Sequence, residues 1–308
     1  RLLTIKYGRG MANFLGEKYC YVAVGRVMTC VLGMVVERER EIRSFDKTPY
    51  YRIVCCIDDS VREAVDTDHK DDDSKKSLIE SEWKATEESR YFESPLLYKE
   101  NGFKKKEDAK KLLDELMGCD GTVIGVSKKQ EKKNPPLLYN LAELQNHCSK
   151  LFKISPDETL AIVQELYEKK LVTYPRTDAR VLSSAIAKEI EKNIKGLKSL
   201  EKFTPFADDV LALGRYKTIA KTKYVDDKQI TDHYAIVPTG TGFGAIKSLS
   251  ERSYRIYEMI CRRFLSIFYP PAEYQKVSLV TQKDTERFFS NFKVLVEPGY
   301  LQIAGLPK

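Results

Sequence analysis

Two proline pairs, Pro135–Pro136 and Pro270–Pro271, do most to limit how this chain can fold. Between them apolar residues recur at helical spacing, and on either side the spacing falls to two. After the second pair, YQKVSLVTQK and RFFSNFKVLVEP read as two strands joined by a turn at KDTE. Before the first pair, residues 50–57 (YYRIVCCI) and 121–129 (GTVIGVSKK) are strand-like, a further extended segment is expected after Trp83, and QEKKNPP reads as a charged connector. A helical block flanked on both sides by β-rich sequence is most simply a helical domain inserted into a β-rich one. Such an insertion has two connections, which can act as a hinge pair. The fold class expected is therefore multidomain α+β.

The helices announce themselves by their ends. A helix is expected from Val27, with Val27, Val31, Met34, Val35 and Ile42 sharing one face and EREREIR beyond. Residues 106–117 form an amphipathic helix, and 137–149 look helical. In SPDE, Ser155 is the N-cap, Pro156 takes the first helical position and Glu158 completes a capping box. That helix carries Leu160, Val163, Leu166 and Tyr167 on its inner side and runs to Lys170. A short extended piece, LVTY, follows. The next helix runs from about Ser183 to Gly196, read as a C-cap, and a third from about Ser250 to Phe268 is stopped by the prolines.

Composition narrows the partners. A hydrophobic share of 42% and a charged share of 31% are those of a globular protein, and no apolar run approaches the roughly 18 residues needed to cross a bilayer. The excess of Lys and Arg over Asp and Glu gives a net charge of +7, compatible with a polyanionic partner. Cys20, Cys30, Cys55, Cys56, Cys119, Cys148 and Cys261 are odd in number and form no C-x-x-C pair, which argues against a disulfide framework and a zinc ribbon. The acidic stretch Asp66, Asp68, Asp71, Asp72 and Asp73 has no apolar strand before it and is diluted by Lys70, Lys75 and Lys76, so it reads as a solvated loop.

TYPRTD is the stretch with most chemistry in it. Pro175 pushes Tyr174 out of helical geometry, so the ring stands at the end of a short extended segment where it can project into a cleft. A free tyrosine hydroxyl titrates near 10 and is a poor nucleophile at neutral pH. A cation two residues on, Arg176, meets that need by pairing with a phosphate and its developing charge. Thr173, Thr177 and Asp178 can supply hydrogen bonds that fix the turn.

LVTYPRTDARVLS resembles the active-site segment of type IA DNA topoisomerases, in which the Tyr of T-Y-x-R-T-D-S attacks DNA. Other stretches match the same family in order: VAVGRVMTCVLGMVVERERE resembles its G-R-V-Q-[ST] motif, PPLLYNLAELQ the entry to its Tyr-bearing domain, DHYAIVPT its H-x-A-I-x-P-T motif, and RIYEMICRRFLSIFYPPAEY the helix leading back into its β-rich arch. Together they cover nearly the whole chain, with a leaning toward the bacterial topoisomerase III branch.

The resemblance implies a fold, a set of roles and a set of partners. Residues 1–45 would be part of a helical base, 46–134 and 273–308 the two parts of a β-rich arch, and 135–272 the helical Tyr-bearing domain. Tyr174 would form a 5′-phosphotyrosine link, Arg176 would stabilise the scissile phosphate, His233 would contact a neighbouring phosphate, and Arg26, after Gly25 at a helix entry, would hold the DNA backbone. Two positions depart from the family pattern: Met28 stands where Gln is usual, and Ala179 where Ser is common. The family's Mg²⁺ is bound by a Toprim domain whose D-x-D-x-E cluster has no counterpart in these residues, so no cofactor is expected within this chain. The opening RLLTIKYG, without Met, reads as a cut through a longer protein. The implied function is single-strand DNA cleavage, passage and resealing by a monomeric, cytoplasmic, nucleoid-associated bacterial enzyme. This fragment alone is expected to bind single-stranded DNA without relaxing it. A non-catalytic single-stranded nucleic-acid-binding module is the alternative.

Overall fold

The computed structural model describes residues 2–16, 18, 26–58 and 78–305, so the acidic stretch 66–73 and Gly25 lie outside the described residues. The chain is a mixture of helices and sheet, arranged as two compact units. One unit comprises Arg1–Ile53 and Lys84–Cys119; the other comprises Val54–Trp83 and Asp120–Lys308.

The first unit holds α1 (Leu2–Leu15), α2 (Arg26–Arg43), a two-stranded ribbon of β3 (Leu97–Lys99) and β4 (Gly102–Phe103), and α3 (Lys106–Leu116). Its core is small. Phe103 is fully buried beside Ala109, Leu112 and Leu116 of α3, and Tyr51 and Phe103 exchange backbone hydrogen bonds at 2.9 and 2.8 Å. The shared apolar face of α2 is open: Val27, Val31, Met34, Val35 and Ile42 are all exposed, Val27 by 75%. Periodicity records that a face is apolar and says nothing of what covers it.

The second unit is built on a five-stranded sheet in the order β1 (Val54–Asp58), β2 (Leu78–Lys84), β7 (Glu286–Glu297), β6 (Ala272–Lys283), β5 (Thr122–Lys133). Strands from both flanks of the helical block thus share one sheet. The chain leaves that sheet at Lys133 and re-enters it at Ala272, and these two residues are partners in the antiparallel register of β5 and β6. One sequence expectation needs correcting here. The residues QEKK are not a connector but the end of β5, and their charges suit an edge strand: Lys132 pairs with Glu273 and Glu131 with Lys293, each at 2.7 Å. Trp83 itself lies inside β2, fully buried, with its indole N–H donating to the buried Glu286 carboxylate at 2.7 Å, and the extended segment expected after it is the short strand β3. An apolar ring with one polar handle needs such a partner once buried.

Between Lys133 and Ala272 lie α4 (Leu141–Phe152), α5 (Pro156–Glu168), α6 (Ser184–Leu197), α7 (Thr204–Leu213) and α8 (Glu251–Ser266). Asn140, Ser155, Ser183 and Ser250 cap four of them, each accepting a backbone N–H from three residues on. The capping box at Ser155 is only half made, because the Glu158 carboxylate pairs with Arg252. The core gathers Leu144, Val163, Leu166, Ile190, Ile194, Tyr257, Phe264 and Phe268. Gly196, expected as a C-cap, is inside α6. Its missing side chain has another cause, since a Cβ there would sit 2.0 Å from the Gly240 carbonyl oxygen. The helix and the segment after Pro238 therefore pack backbone to backbone, just beyond the 233–237 segment that carries His233.

Candidate active site

The TYPRTD loop is held by hydrogen bonds from its threonines rather than by regular structure. Thr173 docks on residues 235–237 three times: its hydroxyl donates to Ala235 O at 2.9 Å and accepts from Val237 N–H at 2.9 Å, and its own N–H donates to Val237 O at 3.0 Å. Thr177 is buried, donates to His233 O at 2.7 Å and accepts from the Ala179 N–H at 3.1 Å. The same Asn140 that caps α4 donates its side-chain amide to Asp178 O at 3.0 Å. A single loop is thereby pinned to the 233–237 segment and to a helix start.

This anchoring brings Tyr174 and His233 together across 59 positions of sequence (233 minus 174). Their rings lie 4.3 Å apart at a tilt of 41°, and Tyr167, at the end of α5, meets Tyr174 edge-on at 5.4 Å. The three rings, with Thr173, Tyr234, Lys170 and Glu168, line an open cleft of about 480 Å³. Tyr174 is half-buried, its ring clasped, while His233 is exposed. Lys170 adopts a left-handed conformation (φ 60°) where the chain turns from α5 into the tyrosine segment, and Thr239 donates to its carbonyl at 2.6 Å.

The other expected residues fall as follows. Arg176 is exposed and, among the described residues, makes no ion pair, so its guanidinium is available to an anion at the loop. Asp178 is exposed and accepts the Asn140 amide through its backbone carbonyl. Arg26 is the first residue of α2, in the other compact unit, and its side chain lies outside the description. Ala179, where the family commonly has Ser, is buried. Tyr167 was expected on the inner side of α5 but is exposed toward this cleft, with Val163 and Leu166 taking the core. Among the described residues no cluster of His, Cys, Asp and Glu is arranged to hold a metal ion.

A second cluster was not marked by the sequence. Arg263 of α8 donates to Leu137 O at 2.9 Å and to the Tyr139 hydroxyl at 3.2 Å, with its guanidinium 4.3 Å over the Tyr139 ring. The Tyr139 hydroxyl also meets His147 Nδ1. Burial pushes the Tyr139 hydroxyl up to about 12 despite Arg263 beside it, and burial, reinforced by Arg263 and Lys150 and opposed by Glu143, holds His147 below the ordinary imidazole value. Tyr139 O in turn accepts from Ile236 N–H at 2.8 Å, so this cluster braces the segment that carries His233.

The sign of the resulting pH effect follows. As pH falls through about 6.5 the unfolded chain protonates His147 while the folded chain keeps it neutral. The unfolded state then holds more protons, and His147 subtracts stability below that pH. A His147→Gln substitution, which keeps an acceptor for Tyr139, should flatten the loss of stability between about pH 6.5 and 5 in urea melts. Parallel curves for the two proteins would contradict the assignment.

The sequence profile of the DNA topoisomerase family matches residues 6–308. The DNA topoisomerase 3 of Bacillus subtilis strain 168 is 31% identical over 280 residues, covering 91% of this chain and 34% of the relative. That of Bacillus cereus strain ATCC 14579 is 32% identical over 282 residues, with the same coverage of 91% and 34%. The chain thus spans about a third of the length of these relatives. Among solved structures, full-length topoisomerase I from Thermotoga maritima superposes with a TM-score of 0.61 at 22% identity, over 94% of this chain and 41% of that one, a likeness of fold.

Proposed function

The chain belongs to the type IA DNA topoisomerase family, and on that premise we propose that it supplies the nucleophile and part of the DNA path for single-strand cleavage and resealing. The observation that carries this reading is the clasped Tyr174 ring at an open cleft, with the unpaired cation Arg176 two residues on. Tyr174 Oη attacks the phosphorus of a backbone phosphodiester, the bond from phosphorus to the 3′ oxygen breaks, and the leaving oxygen takes up a proton. The products are a 5′-phosphotyrosine and a free 3′-hydroxyl. Resealing is the same displacement in reverse, so the energy of the broken bond is kept. Arg176 meets the charge that grows on the phosphoryl oxygens. His233 holds the Tyr174 ring by its face and offers its ring nitrogens to an adjacent phosphate.

The proposed arrangement keeps 135–272 as the helical domain carrying Tyr174 and assigns the β-rich segments of 46–134 and 273–308 to an arch, with 1–45 as part of a base. The pairing of Lys133 with Ala272 supports it, because a domain entered and left at two facing residues can swing about that point. Mg²⁺ chemistry is assigned to a Toprim domain of a longer protein, and no step above depends on it. The substrate is single-stranded DNA, the working form a monomer, and the setting a bacterial cytoplasm.

The 308-residue chain should bind single-stranded oligonucleotides weakly through backbone contacts and should not relax supercoiled plasmid with Mg²⁺. If about three phosphates are engaged, fluorescence anisotropy should show affinity falling about 20-fold between roughly 50 and 200 mM salt. Salt-independent binding, or relaxation at ordinary enzyme concentrations, would count against this reading.

A further inference from the structure

A second cleft, of about 770 Å³, is lined by Lys202, Arg255, Arg262, Arg263, His147 and Glu258 and shares no residue with the cleft at Tyr174. Four cations face one carboxylate, and that carboxylate is already engaged. Glu258 accepts from Lys202 at 2.7 Å and from Arg262 at 2.8 Å; burial works to raise its titration, and these hydrogen bonds outweigh burial and hold it low. Arg262 and Arg263 are further occupied by Ile303 O and by Leu137 O and Tyr139. Arg255 differs from them. It is exposed, has no carboxylate partner among the described residues, and lies with its guanidinium 5.3 Å over the Phe152 ring.

Pro136, Leu151, Phe152 and Met259 give the cleft an apolar side, with Tyr139 and Ser266 adding hydroxyls elsewhere in its lining. A groove with a cationic side and a flat apolar side suits a ligand that is itself an anion joined to a planar apolar group, and its volume is in the range of small-molecule sites. A neighbouring cleft that shares Arg255 and Phe152 carries Glu158, Glu165 and Glu251 against one further cation, Arg252, which pairs with Glu158, so the excess of carboxylates there favours an anion on the His147 side of Arg255.

We propose that the cleft between His147, Phe152 and Arg255 binds a nucleoside phosphate, with the phosphate on Arg255 and Lys202 and the base against the Phe152 and Met259 wall. Stacking on aromatic rings and on arginine planes is a common way to hold an unpaired base. The ligand is either a free nucleotide or one residue of a single strand, since both present the same chemistry. The inference stands apart from the chemistry at Tyr174.

The chain has three histidines, His69, His147 and His233, so the side-chain ¹H–¹⁵N spectrum resolves the two clefts once His147→Gln identifies its own signal. Titration of the whole chain with deoxyadenosine 5′-monophosphate should move the His147 signal saturably, with inorganic phosphate weaker and deoxyadenosine weaker still. Arg255→Gln should weaken the response about tenfold, and Arg255→Lys should restore part of it. A short oligodeoxyadenylate forms the other arm: saturation by the oligomer but not the mononucleotide assigns the cleft to a strand, and the reverse to a free nucleotide. A His147 signal that moves with neither ligand, movement of the His233 signal alone, or an Arg255→Gln response equal to the parent's would overturn the proposal.

Discussion

Replacing Tyr174 with Phe is expected to abolish covalent attachment to DNA, with strand binding largely retained, when this chain is assayed within a protein of its relatives' full length. The substitution removes one oxygen and leaves the ring. The contacts of that ring with His233 at 4.3 Å and Tyr167 at 5.4 Å stay in place, so the cleft keeps its shape. Such aromatic pairs are worth about 1 kcal/mol each, enough to hold the loop but not to replace a nucleophile. Detergent-trapped adducts should therefore vanish while oligonucleotide retention persists. Adducts that survive the substitution would mean that a different group attacks.

The second large effect is expected at Arg176. Its side chain is exposed and makes no ion pair among the described residues, so Arg176→Ala should change thermal stability by no more than about 0.5 kcal/mol. Cleavage should nonetheless fall about 100- to 1000-fold, the usual cost of losing one group that stabilises charge in the transition state. Arg176→Lys should recover part of the loss, since an ammonium supplies charge without the two-pronged geometry of a guanidinium. A loss of activity that tracks a loss of melting temperature would instead mark Arg176 as structural.

Much of this was legible in the sequence, for reasons that differ by element. The Ser155 cap and the helix starts near Ser183 and Ser250 are local chemistry, and local chemistry is written in adjacent residues. The alternation in 272–283 and 286–297 gave two strands because each has one face more buried than the other. The strand end at 130–133 was masked by its charges, whose partners Glu273 and Lys293 lie far along the chain. Gly196 was misread for a similar reason, because the Gly240 carbonyl that excludes a side chain there is distant in sequence.

The site divides along the same line. Tyr174, Arg176, Thr173 and Thr177 stand within one hexapeptide, and the proline in it gave the loop its direction. His233 came to attention through resemblance; its ring contact with Tyr174 depends on Thr177 reaching His233 O, a long-range bond that no spacing rule reveals. Tyr167 carried a signal that was read the wrong way. An aromatic residue at the last turn of an amphipathic helix is core by periodicity, yet the left-handed turn at Lys170 folds the following segment back beside it. The Tyr139–His147–Arg263 cluster had no sequence signature at all, since its three members come from separate elements.

The most direct test of the central claim is to map the bond itself. DNA labelled at each end is trapped on the full-length protein, digested with protease, and the adducted peptide is sequenced by mass spectrometry. The account predicts a single adduct, on the tyrosine of TYPRTD, joined to the 5′-phosphate of the cleaved strand. An adduct on any other residue, or one joined through a 3′-phosphate, would contradict it.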